Sequence, residues 1–138
     1  VFAAVSKSPG AISSVMLEDW GTLAMSKILL KGMPFDVYLK EYKIFEKTMQ
    51  FMMECLENWH RDDPEQFQRD MRADHQTVVA TYRFNRKFAA IKQNCMFEPL
   101  QRYISASMDI LDRERNYVAI YTAFFDFDGN CFDDQLTT

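Results

Sequence analysis

The sequence predicts an all-α fold: a single-domain, up-down four-helix bundle with a shorter first helix (about 15–31) and three long ones (about 34–60, 64–93 and 99–126). Three observations predict it. Large apolar residues recur at heptad spacing from Phe35 to Trp59, cap-and-proline signals stand where helices should begin, and Gly and Pro number only four each in 138 residues.

Residues 1–13, with KSPGAISS, read as a linker or flexible N-terminal segment, and the opening Val1 as the start of a mature or excised piece. Ser14 is placed to cap the first helix, with Glu18 and Asp19 near its positive pole. Its apolar face would carry Leu17, Trp20, Leu23, Ala24 and Ile28. Gly32 offers a left-handed stop and Pro34 a first helical position for the next element.

The second helix carries the clearest pattern. Phe35, Tyr38, Tyr42, Phe45, Met49, Met52, Leu56 and Trp59 are separated alternately by three and four residues, which lines them along one side of a coil. Ile44, Phe51, Met53 and Cys55 widen that surface. Then Asp63 caps, Pro64 takes the first position and Gln66 completes a capping box, opening the third helix. That helix has a weaker seam: Phe67, Met71, Asp74, Val78, Thr81, Phe84, Phe88, Ile91 and Cys95. Pro99 opens the fourth, whose seam is Leu100, Ile104, Ser107, Leu111, Glu114, Val118, Tyr121 and Phe125; Gly129 ends the domain at 14–129, before an acidic C-terminal tail, 130–138. Short connections make consecutive helices antiparallel neighbours.

Composition narrows the function classes. A net charge of −4 speaks against a nucleic-acid partner, and no apolar run approaches the roughly 18 residues of a membrane span. Cys55, Cys95 and Cys131 form neither a CxxC nor an even framework, which favours a reducing, intracellular and cytoplasmic setting.

Candidate chemistry is thin. Glu57 and His60 share the i, i+3 spacing of di-iron bundles, but a second Glu–His pair is required and His75 follows Arg72 at that spacing. The stretch DFDGNCFDD alternates carboxylates about Gly129, yet that alignment puts Phe124 and Gln135 where a calcium loop needs carboxylates. No catalytic residue, metal site or cofactor is assigned. The reading is a non-enzymatic protein–protein interaction domain: an adaptor, assembly or regulatory module that meets a protein partner or self-associates. Its contact residues are the basic Arg83, Arg86, Lys87 and Lys92 and the apolar Ile44 and Phe51. The alternative is a bundle enclosing an apolar small molecule, as sensor or carrier, lined by Met49, Met52, Ser107 and Glu114.

Overall fold

The computed structural model describes residues 29–138 and overturns the all-α bundle: the second half of the chain is a four-stranded antiparallel sheet with helices on one face. A two-residue hairpin comes first, β1 (Leu29–Leu30) and β2 (Met33–Pro34). Its turn residues Lys31 and Gly32 both have positive φ, 52° and 78°, which is the twist a tight hairpin demands. The linker and most of the predicted first helix lie outside the described residues; Leu29–Leu30, at its predicted end, is strand rather than helix.

Four helices follow: α1 (Phe35–Glu41), α2 (Ile44–Asp62), α3 (Pro64–Met71) and α4 (His75–Thr81). The heptad row is helical as expected but breaks once. Lys43 sits at φ 52°, a left-handed residue that swings α2 away from α1. Tyr38, Met52 and Leu56 of the row are fully buried, and Tyr42, Phe45, Met49 and Trp59 pack against the same core. Asp63 caps α3 by accepting from the Gln66 amide (3.1 Å), with Pro64 in the first turn.

The predicted third helix stops far short of residue 93. Arg72 turns left-handed (φ 65°), Asp74 re-caps through the Thr77 amide (2.8 Å), and α4 ends at Thr81. From there the backbone is extended: β3 (Arg83–Asn94), β4 (Gln101–Leu111), β5 (Tyr117–Phe125) and β6 (Cys131–Thr137) pair in chain order. The predicted fourth helix is thus two strands and a turn, and the acidic segment after Gly129 is the edge strand β6.

Strand alternation divides the sheet into two faces. Ile104, Ala106, Met108 and Ile110 of β4 pair with Phe125, Ala123, Tyr121 and Ala119 of β5, and all eight are buried beneath the helices. The β5–β6 turn anchors this layer from below. Its Phe127 carbonyl accepts from the Tyr38 hydroxyl (2.6 Å) and its Gly129 carbonyl from Lys47 (2.8 Å). The carboxylates proposed against a calcium loop therefore build a hairpin turn, in which Asp126 accepts the amides of Asp128 and Asn130.

Candidate interaction surface

Registers fix which side chains share the other face of the sheet. β3 contributes Ala90 opposite Ser105, Phe88 opposite Ser107 and Lys92 opposite Tyr103. β5 contributes Phe124, Thr122 and Ile120 opposite Ser105, Ser107 and Asp109, and β6 adds Asp133, Gln135 and Thr137 opposite those three. Two register shifts, between Arg86 and Phe88 and between Phe124 and Phe125, each insert one residue, Lys87 and Phe132 respectively. The insertions put Lys87 within 3.3 Å of Asp109 and bring Phe132 against Phe124 and Tyr103, both on this same face.

No described helix covers this face. The core beneath the helices draws in Phe84, Ile91, Cys131 and Leu136 from the strands, while Phe88, Tyr103, Ile120, Phe124 and Phe132 take no part in it. Phe88 and Phe132 remain 44% and 49% exposed, so two large rings stand about half in solvent on this face. Tyr103 makes edge-on contacts with Phe124 (5.8 Å between ring centres) and Phe132 (5.9 Å). Between the rings lie small polar residues. Ser107 and Thr122 share a 2.8 Å hydroxyl bond across the strands, and the fully buried Ser105 hydroxyl has no partner. The surface runs on past β5, because Gln101, Arg102 and Tyr103 pair only with β3 and the hairpin ends in exposed Met96, Phe97 and Leu100.

The sequence-derived contact residues divide between the two faces. Arg83, Lys87 and Lys92 line the uncovered face along β3. Arg86 points the other way, 3.6 Å from Glu46 and 5.0 Å above the Phe45 ring. It overhangs a cleft of about 370 Å³ walled by Phe45, Met49, Phe84 and Met108. Ile44 is wholly buried and Phe51 packs on the core, so neither offers the free helical flank expected of them. The residues expected to line a ligand cavity are dispersed: Met52 is inside the core, Met49 walls the surface cleft, Ser107 is on the opposite side of the sheet and Glu114 lies in the β4–β5 turn. The earlier helical seam through Ser107 and Glu114 dissolves once the backbone is extended.

Other chemically capable groups sit on the helix side. His60 and His75 come together, ring centres 5.4 Å apart, both edge-on to Phe67. Among the described residues no group of three or more His, Cys, Asp or Glu is arranged to hold a metal ion. Tyr121 donates to Asp134 (2.5 Å). Burial, then that bond and the Asp134 charge, raises the Tyr121 hydroxyl far above the usual tyrosine range. Burial likewise raises the Cys55 and Cys131 thiols, with Asp134 adding to both, which keeps them protonated and poorly nucleophilic. Cys95, expected beside an apolar face, is exposed at the β3–β4 tip.

A helical wheel through β4 and β5 scatters the residues of the uncovered face, which only an extended backbone brings together. Its signal was the β-branched and aromatic run YVAIYTAFF, with polar DRERN before it and DFDGN after it.

No family model, curated protein or solved structure matches this chain.

Proposed function

We infer that this chain is a non-enzymatic interaction module which binds another protein chain through the uncovered face of its sheet, in the reducing interior of a cell. One observation carries the reading: Phe88, Tyr103, Phe124 and Phe132 stand on a sheet face outside the core, with Phe88 and Phe132 about half exposed. A sheet with one face packed and the other solvated ordinarily alternates apolar with polar residues. Here the second face is aromatic as well, which is the composition of an interface centre. Three basic residues along β3 supply a polar rim. No described helix is long and apolar enough to cross a membrane.

Lys87 and Lys92 make the reading testable, because both belong to this face whereas Lys40, Lys43 and Lys47 belong to the helical layer. Amine cross-linking of the full chain in extract, followed by mass spectrometry, is expected to join Lys87 or Lys92 to another polypeptide, a second copy included. If both lysines react freely and join no other chain, the interaction reading falls.

A further inference from the structure

We propose that the occupant of the uncovered face is a second copy of this chain, related by a two-fold axis along the strands, so that β3 of each copy lies over β6 of the other. The proposal rests on the interaction reading above and names its partner.

Charge is the first argument. The face is basic along β3, where Arg83 and Lys92 make none of the ion pairs found among the described residues. Along β6 it is acidic at Asp133, which is exposed and pairs with Phe124. A two-fold axis along the strands exchanges the two edges and sets basic against acidic. An axis across the strands would lay β3 on β3 and bring like charges together. A self-complementary surface is what an isologous dimer requires.

Register is the second argument. Ala90, Ser105, Phe124 and Asp133 form one row across the four strands. The same axis lays Phe124 of each copy over the β4 position of Ser105 in the other, where the serine is already fully buried, so the rings meet across the two-fold without like charges opposed. Lys92 stands one same-face step (roughly 7 Å) along β3 from Ala90, within a lysine's reach of the facing Asp133 and Phe132.

Area is the third. Four strands about 4.8 Å apart and some nine residues long at about 3.3 Å each present roughly 550 Å² per copy. Two such faces give about 1,100 Å², just above the lower bound of about 1,000 Å² for a specific interface. A reversible dimer in the micromolar range is expected.

Sedimentation equilibrium of the full chain over roughly 1–200 μM tests the proposal. Wild type is expected to dimerise. Lys92→Glu and Asp133→Lys are each expected to weaken the dimer at least about tenfold, and the double variant Lys92→Glu/Asp133→Lys to recover to within about threefold of wild type. Both positions are exposed, so folding is not at stake, and circular dichroism of each variant checks this. A monomer at every concentration overturns the second copy as occupant. A dimer whose double variant is weaker than either single overturns the β3-over-β6 arrangement. The interaction reading fails separately, by the cross-linking result above: a monomer whose Lys92 joins a different polypeptide removes only the self-association.

Discussion

The two faces of one sheet differ in what they do for the fold. Beneath the helices, Ile104, Ala106, Met108, Ile110, Ala119, Tyr121, Ala123 and Phe125 are almost completely withdrawn from water and touch α2 and its neighbours. On the other side the large rings of Phe124 and Phe132 stand against each other and Tyr103, outside that core. Apolar area stabilises a fold only when folding removes it from water. The helix face therefore specifies the domain, whereas much of the opposite face gains its burial only when something binds.

The largest expected effect follows from that difference. Leu56→Ala deletes a fully buried side chain between α2 and the sheet and is expected to destabilise the isolated chain by about 2–5 kcal/mol. Phe132→Ala, on the uncovered face, is expected to change monomer stability by less than about 1 kcal/mol. Urea denaturation at low protein concentration compares them. Similar losses would mean that both faces belong to one core.

The same comparison explains how much was legible beforehand. Along β5 both faces carry apolar residues, so the period of two that marks a half-buried strand is filled in, whereas β4 keeps it, with Ile104, Ala106, Met108 and Ile110 alternating with Ser105, Ser107 and Asp109. A helical seam can be threaded through any dense apolar run, and Ile104, Ser107, Leu111 and Glu114 provided one. The heptad row from Phe35 to Trp59 was legible because its three-and-four spacing holds over eight large residues, and Asp63–Pro64 because capping chemistry is local. The break at Lys43 was not, since a lysine carries no mark of a left-handed backbone. The uncovered face could not be read at all until strand registers were known. The sequence presents Arg83, Arg86, Lys87 and Lys92 as one basic set, and only the extended backbone separates Arg86 from the other three.

A smaller effect sharpens the boundary between the layers. Tyr38 is buried on the helix side and its hydroxyl value is pushed up to about 12, by burial first and then by Tyr42, Asp126 and Asp128. An unfolded tyrosine ionises near about 10. The folded value is the higher one, so this contribution is complete below about pH 10 and lost as pH rises toward 12. Tyr121 is shifted in the same direction, for the same first reason, and adds to the alkaline loss. Tyr38→Phe is expected to cost about 1–2 kcal/mol at pH 8, since the Phe127 carbonyl loses its donor, yet to lessen the further loss at pH 11. Chemical denaturation at the two pH values checks this. An unchanged alkaline slope would place Tyr38 outside the linkage.

The smallest expected effect concerns two turns of one design. In the β4–β5 turn, Asp112 accepts the amides of Glu114 and Asn116, and in the β5–β6 turn Asp126 accepts those of Asp128 and Asn130. Each turn places its fourth residue left-handed: Arg115 at φ 66° and Gly129 at φ 83°. In the second turn a Cβ on Gly129 would come within 2.8 Å of the Tyr42 ring. Arginine pays the steric cost of the left-handed region that glycine avoids, about 1 kcal/mol. Arg115→Gly is accordingly expected to raise stability by up to about 1 kcal/mol, less whatever the looser unfolded chain takes back. Gly129→Ala adds both the strain and the contact and is expected to lower it by at least as much. Thermal unfolding of the pair decides whether the glycine answers to its own backbone or to its neighbour. If Gly129→Ala costs no more than Arg115→Gly gains, the approach of Tyr42 carries no weight and the turn could be moved off the helices freely.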